Sequence, residues 1–284
     1  MKSSCLSLPL LFDIVPIRHS LWRTQRLTKA AILSLSLTIG LCAPAQSGSG
    51  ATQLQDPIAV AAVNLAITSL GGTASFGSIQ DATVTAQTTT PSSPNSAPTG
   101  QITWMTIGMS IRSATTSQSG NSTFTVQNGK GSVEDASGSV SPMDSRLALT
   151  LFPFHLPGAV LLNLLNAAND SLSVVQDTSS TPNIVHVRSL IQMSDPTLTP
   201  VTQQDWYIDT NTGLPTRVDY YLPNTTNPSL DGTATILFTS WQKTPSILMP
   251  QTMQTQTNGT AANTITVGTP QFNQGLTASI FQLP

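Results

Sequence analysis

Charge, cysteine and histidine are all scarce in this chain of 284 residues. Only 8% of the residues are charged, and the sequence contains two cysteines and three histidines. Both cysteines, Cys5 and Cys42, and one histidine, His19, lie within the first 45 residues. The chain after residue 45 therefore offers no thiol chemistry and no disulfide. It also leaves only His155 and His186 as imidazole bases or metal ligands.

Basic residues are especially few after residue 45. Five of the 11 Lys and Arg residues, but only one of the 13 Asp and Glu residues, precede Gln46. The rest of the chain is therefore net negative, and its few cations are scattered. Binding of phosphate backbones needs clustered Lys and Arg, so this balance argues against nucleic acid as a partner. It argues equally against attraction to an anionic membrane surface.

The sequence has no apolar run long enough to span a bilayer, but its N-terminus has the order of a secretory signal. Arg23, Arg26 and Lys29 precede an apolar run of about 13 residues at 30–42, short of the roughly 20 that a spanning helix needs. A small-x-small site follows, ending at Ala45. This order predicts a signal peptide over 1–45, cleaved after Ala45, and a periplasmic or secreted protein with no stable transmembrane segment after processing.

Two alternatives to simple export stay open at this N-terminus. The apolar run could serve as a short membrane anchor, and Cys42 could be lipidated. Leu41, directly before Cys42, is larger than the residue that lipoprotein processing prefers, which favours soluble export. The basic region is also long, which is compatible with a start codon downstream of Met1.

The chain after the leader is predicted to be a short linker over 46–55 and one domain over 56–284. Asp56 and Pro57 form a helix start, with an N-cap followed by proline at the first helical position. Apolar residues then recur at helical spacing until Gly71 and Gly72. A second helix is predicted from Pro157, with an apolar stripe that includes Val160, Leu161, Leu164, Leu165 and Ala168.

Short alternating segments separated by turn residues predict strands over most of the remaining chain. They fall at 79–88, 101–111, 122–127, 172–176, 184–193, 203–209, 215–222, 233–241, 247–255 and 264–269. The segments 91–100 and 130–144 are predicted as loops because they are rich in Pro, Ser and Gly. Strands this close together indicate antiparallel pairing. We therefore predict an α+β, mainly β fold: a curled antiparallel sheet, an incomplete barrel, enclosing two helices.

One hairpin and the elements after it resemble a known superfamily. The hairpin runs from Asp205-Trp206-Tyr207-Ile208-Asp209 through Thr212-Gly213-Leu214-Pro215 to Arg217 and Tyr220. The pattern continues with Ile236-Leu237-Phe238, Trp241, Ile247-Leu248-Met249-Pro250, Asn258-Gly259, Asn273, Leu276 and Phe281. This stretch, 206–284, resembles the LolA/LolB-like superfamily of periplasmic lipoprotein carriers and related exported lipid-binding proteins. The turn motif also occurs in unrelated hairpins, so the order of elements contributes most of the resemblance.

The resemblance implies a half-barrel around a hydrophobic cavity, with helices as plug or lid. The expected function is non-catalytic binding of a hydrophobic moiety, a lipid or acyl chain, with an envelope lipoprotein as a possible partner and no cofactor. Pro153, Pro157 and Gly158 would let the second helix pivot. The candidate ligand-binding residues are Trp104, Leu161, Leu164, Leu165, Trp206, Phe238 and Trp241. Ordinary core packing is the competing interpretation for each of them.

Two other function classes stay open from the sequence. A structural or surface-interaction β-module would have the same Thr- and Ser-rich strands but no internal cavity. A carboxylate-based hydrolase would use Asp205 and Asp219, which lie around one hairpin. Asp219 has an alternative role as partner of Arg217, and Asp209 reads as a turn residue. No nucleophile elbow, zinc motif or phosphate loop is present, so no catalytic or metal-binding residue is predicted.

Overall fold

The computed structural model describes residues 55–90, 98–118, 120–176 and 181–283, which belong to one compact unit. The predicted signal peptide, its cleavage site and nearly all of the predicted linker lie outside these residues, as does most of the loop predicted at 91–100. Among the described helices, none combines the length and the apolar character needed to cross a membrane.

Within these residues, fourteen strands form a single sheet in which every strand pair is antiparallel. The strands are β1 Ala82–Thr89, β2 Gly100–Ile107, β3 Ser110–Ser117, β4 Gly120–Gln127, β5 Lys130–Glu134, β6 Val140–Pro142, β7 Asp170–Val174, β8 Ile184–Ile191, β9 Gln204–Asp209, β10 Pro215–Leu222, β11 Gly232–Lys243, β12 Leu248–Thr257, β13 Thr260–Val267 and β14 Gln271–Phe272. Their spatial order is β6-β5-β4-β3-β2-β1-β13-β12-β11-β10-β9-β8-β7, and β14 also pairs with β1. Within the described ranges the sheet is not closed, because β6 and β7 are its two edges.

Four α-helices accompany the sheet in the described part of the chain. They are α1 Pro57–Ser69, α2 Thr73–Ser78, α3 Ser145–Ala148 and α4 Pro157–Asn166. The start of α1 is as predicted, because the Asp56 carboxylate accepts a hydrogen bond from the Ile58 amide at 2.8 Å and Pro57 occupies the first turn. α1 packs against α4 and against β7 and β8, and α4 also contacts α2. The predicted α+β fold with a curled antiparallel sheet is confirmed.

Three sequence predictions of local structure are wrong. The segment 101–111 is not one strand but parts of β2 and β3, joined by a tight turn at Gly108, whose positive φ of 56° suits glycine. The segment 130–144 is not a loop, because it contains β5 and β6. In addition, the two short helices α2 and α3 have no counterpart among the predicted helices. In the stripe of α4, Ala168 lies beyond the helix and is exposed.

The C-terminal segment is held to the sheet by the carboxylate of Asp81, which precedes β1. This buried group accepts hydrogen bonds from the backbone amides of Gln274, Gly275 and Leu276 at 2.8, 2.9 and 3.2 Å. Hydrogen bonds to a charged group contribute more than neutral ones, and the amides would lose their partner if it were removed. We expect Asp81→Ala to lower the free energy of unfolding by about 2–3 kcal/mol in urea denaturation.

A matched control for this variant is Asp135→Ala. Asp135 also accepts three hydrogen bonds, from Ser137 N, Ser137 Oγ and Ser139 N, but all are local and exposed. Water can replace such partners, so the control should change the free energy of unfolding by less than about 1 kcal/mol. Equal losses in the two variants would contradict the role given to Asp81.

Candidate functional site

The segment that leads into α4 is inserted into the interior of the curled sheet. His155 stacks on Trp104 of β2, with ring centroids 4.6 Å apart and planes within 4°. The preceding residue, Phe154, contacts Trp206 of β9 at 6.0 Å. In the strand order β2 and β9 are six steps apart, about 29 Å in a flat sheet. Two consecutive residues can contact both strands only because the sheet curls around them.

An aromatic row extends from this inserted segment along the sheet. Phe154 contacts Phe152 at 5.9 Å and Tyr220 at 4.9 Å, in addition to Trp206. Trp206 lies 6.3 Å from Phe238, which lies 5.6 Å from Trp241. These are ordinary distances for favourable aromatic pairs. We call the residues 151–156 the plug segment, because their apolar side chains fill the space in front of this row.

The structure places all seven predicted ligand-binding residues around one hydrophobic core. Trp104, Phe238 and Trp206 come from the sheet and are 8%, 6% and 0% exposed. Leu161 and Leu164 of α4 are fully buried. Leu165 and Trp241 are partly buried and pack against the same core. Their closeness agrees with a shared site, while their close packing agrees equally with an ordinary core.

Sequence reasoning missed Phe154 and Tyr220 as members of the aromatic row. The dense apolar stretch 147–156 was a visible signal for the plug segment, but nothing in it names its contact partners. His155 is 2% exposed, and its Nε2 lies 3.3 Å from the hydroxyl of Thr106. Burial lowers the pKa of His155 to about 3, so the ring is neutral near neutral pH.

An open groove of about 270 Å³ lies between α2, α4 and the start of the sheet, next to the plug segment. Its apolar lining comes from Phe76, Ile79, Ala82, Met109, Leu156 and Leu162. Leu156 belongs to both the groove and the plug segment, and Thr106, which also lines the groove, contacts His155. The groove is slightly smaller than the usual 300–1,000 Å³ of a ligand pocket, so it suits a short alkyl segment.

A second open space of about 300 Å³ lies on β3, β4 and β5, away from the aromatic row. Its lining is largely polar and includes Arg112, Thr123, Thr125 and Glu134. Arg112 and Glu134 are 3.7 Å apart. Such a lining does not suit an alkyl chain, and the two charges already compensate one another.

The carboxylates considered for hydrolysis are both engaged in ion pairs, Asp205 with a residue of the neighbouring strand β8 and Asp219 with a residue of its own strand β10. Asp205 is held by Arg188 at 2.8 and 3.2 Å and accepts a bond from Gln203 at 2.7 Å. Although burial opposes it, these hydrogen bonds hold the pKa of Asp205 below its usual value. Asp219 is paired with Arg217. The pKa of Asp205 is thus shifted away from the raised value that a general acid in glycoside hydrolysis needs.

His186 of β8 contacts two residues of the neighbouring strand β9. Its Nε2 lies 3.0 Å from the Asp205 carboxylate, and its ring stacks on Tyr207 at 4.4 Å. In the part of the chain that the structure describes, no group of three or more His, Cys, Asp or Glu residues is arranged to hold a metal ion.

Comparison with known proteins gives similar solved structures at low sequence identity. No family model and no curated protein matches the sequence. A DUF1329 family protein from Desulfovibrio piger is 14% identical with a TM-score of 0.48, and the match covers 79% of this chain and 97% of that one. A LolA superfamily protein from Nitrosomonas europaea is 9% identical with a TM-score of 0.48 and the same coverage. The second belongs to the superfamily that the hairpin resembles.

Proposed function

We propose that this protein is an exported, non-catalytic carrier that binds an alkyl chain of a lipid in the interior of the curled sheet. The observation that supports this most is the plug segment. It lies in the interior without helical structure, and its Phe154 occupies the centre of the aromatic row. An alkyl chain would take the place of the plug segment against Trp206 and Phe238.

The exchange is close to balanced in free energy, because one apolar surface replaces another in the interior. Removing the plug segment from the sheet exposes apolar surface, and a buried alkyl chain restores about 0.8 kcal/mol for each methylene group. The groove beside Leu156 offers a first binding position outside the core. Leu161, Leu164 and Leu165 would line the alkyl chain from α4, and Trp104 and Trp241 would border it from the sheet.

The partner of this protein is accordingly a hydrophobic ligand, which is the alkyl chain of a lipid or of an acylated envelope lipoprotein. The predicted signal peptide supports a periplasmic or secreted location, where such ligands must cross water. The proposal is tested by incubating the chain 46–284 with a fluorescent alkyl probe and by native mass spectrometry. A saturable, stoichiometric complex is expected, and no complex with any alkyl probe would remove the carrier function.

A second candidate function, a surface-interaction module without a ligand cavity, is favoured by the complete burial of Leu161, Leu164 and Trp206. Such a module would need no movement of the plug segment. The alkyl-probe measurement separates the two candidates, because a permanently filled core binds no probe.

The contact between α2 and α4 should control entry into the interior. A methyl group at Gly158 of α4 would lie 2.1 Å from the ring of Phe76 of α2, so the ring must move away. Phe76 also lines the groove. We expect Gly158→Ala to lower the free energy of unfolding by about 1–3 kcal/mol and to speed alkyl-probe uptake several-fold in stopped-flow fluorescence.

The matched control is Gly77→Ala, because a methyl group at Gly77 meets no atom within 4 Å. It changes the same residue type in α2 without displacing Phe76, so the uptake rate should stay at the wild-type value. Uptake that is equally fast in both variants, or unchanged in both, would exclude the Phe76 contact as the controlling element.

A further inference from the structure

Three buried polar side chains lie together on the inner face of the sheet near its β7 edge. Asp170, Ser189 and Gln204 are 1%, 0% and 1% exposed. Both carboxyl oxygens of Asp170, the hydroxyl of Ser189 and the Nε2 of Gln204 make no hydrogen bond. Such atoms are rare in folded proteins, since an unpaired buried polar group is costly.

Strand register places these three side chains on one face. Ser189 of β8 is paired with Leu172 of β7 on one side and with Gln204 of β9 on the other. Asp170 is two residues before Leu172, so both point to the same face. That face is the inner one, because Leu172 belongs to the hydrophobic core. We call Asp170, Ser189 and Gln204 the inner polar cluster.

The inner polar cluster adjoins the aromatic row directly. The Oε1 of Gln204 accepts a hydrogen bond from the indole nitrogen of Trp206 at 3.0 Å. This bond fixes the amide of Gln204 with its Nε2 unpaired. An alkyl chain lying against Trp206 would therefore have one end beside Gln204, Ser189 and Asp170.

We propose that the inner polar cluster binds the polar end of the alkyl ligand and selects an uncharged amide over a carboxylate. This inference rests on the proposed carrier function. An amide N–H would donate to Asp170, and its carbonyl would accept from Gln204 Nε2, with Ser189 able to serve either group. A carboxylate at the same place would add a second negative charge to a buried site beside Asp170.

The test compares two ligands with the same twelve-carbon chain, dodecanamide and dodecanoate, in competition with a bound fluorescent alkyl probe. At about pH 8 the wild-type protein is expected to bind the amide about tenfold more tightly than the carboxylate. Dodecanol, which both donates and accepts a hydrogen bond, should compete nearly as well as the amide.

Variants of the cluster identify the source of this preference. Asp170→Asn keeps the shape of the side chain and removes its charge, so the preference should fall to about twofold or less, mainly through tighter binding of dodecanoate. The matched control, Asp195→Asn, changes an exposed aspartate whose carboxylate accepts local hydrogen bonds from the amide and hydroxyl of Thr197. It should keep the wild-type preference.

The outcomes separate this inference from the proposed function. Equal binding of the two ligands by the wild-type protein would overturn the inference and leave the carrier function intact. The cluster would then hold buried water only. Failure of every alkyl ligand to bind would overturn both. A preference that survives Asp170→Asn would also overturn the inference.

Discussion

Asp170→Asn is expected to raise the free energy of unfolding by up to about 4 kcal/mol at about pH 8 and to change it little at about pH 4. Burial raises the pKa of Asp170 to about 7 from its ordinary value of 3.8. The amides of Ser171 and Leu190 oppose this shift, but neither forms a proper hydrogen bond with the carboxyl group. Burial therefore dominates.

The sign of this effect follows from proton binding. Between about pH 3.8 and 7 the native protein keeps the Asp170 proton while the unfolded chain has lost it. The contribution of this group to stability therefore falls as the pH rises through that window, and it stays low above it. Asparagine has no proton to lose. The measurement is urea denaturation of both proteins over a pH series.

Ser189→Ala is the matched control for the pH dependence, because it removes an unpaired buried hydroxyl that does not titrate in this range. Its effect on the free energy of unfolding should be the same at every pH. A pH-independent effect of Asp170→Asn would show that the carboxyl group ionises as readily in the native protein as in the unfolded chain.

His155→Gln is expected to remove a loss of stability on the acid side that reaches about 5 kcal/mol in the wild-type protein. Burial lowers the pKa of His155 from 6.5 to about 3. As the pH falls through that window, the unfolded chain binds a proton that the native protein does not bind, so stability is lost. The substitution itself should cost about 1–2 kcal/mol at neutral pH, since it removes the ring stacked on Trp104.

The effects of His155 and Asp170 oppose each other between about pH 3.8 and 6.5, so the wild-type profile conceals both. The two single variants should therefore respond to acid in opposite ways. As the pH falls, the free energy of unfolding of Asp170→Asn should decrease relative to that of the wild type, and that of His155→Gln should increase relative to it. The control is Thr106→Val, which removes the hydroxyl beside His155 but keeps the imidazole. Thr106→Val should lose as much stability at acid pH as the wild-type protein does. If His155→Gln also lost that much, His155 would not be the source of the effect.

Local signals were sufficient for the parts of this fold that the sequence predicted. Asp56 and Pro57 fix the start of α1 by capping, and Gly71 and Gly72 follow its end. The hairpin of β9 and β10 was predicted because Asp209 organises its own turn. Its carboxylate accepts from the Asn211 amide and its carbonyl from the Gly213 amide. Each of these interactions spans only a few residues.

The wrong predictions of local structure arise from the amino-acid composition of the segments concerned. The segment that contains β5 and β6 is rich in Gly and Ser, which resemble a loop in sequence. It nevertheless forms strands, because β5 pairs with the edge of β4 and β6 pairs with β5. Met109 made the β2–β3 turn look like strand interior, and only the positive φ of Gly108 reverses the chain there. Pairing energy from a neighbouring strand has no local signature.

In the candidate site, too, local properties could be predicted from the sequence and long-range contacts could not. The apolar character of the seven predicted residues was evident, but their meeting depends on contacts between distant residues. His155 meets Trp104 across 51 positions, and Phe154 meets Trp206 across 52. Asp170 lies four residues after the end of α4, and only the register of β7 and β8 shows it to be on the inner face.

Quenching of tryptophan fluorescence by a bromine-labelled alkyl chain tests the central claim most directly. Trp104, Trp206 and Trp241 are the three tryptophans after residue 45, and all belong to the candidate site. We expect saturable quenching in the wild-type protein and loss of most of it in Trp206→Phe. An alkyl chain that leaves the fluorescence unquenched, or that quenches without saturation, would contradict binding inside the sheet.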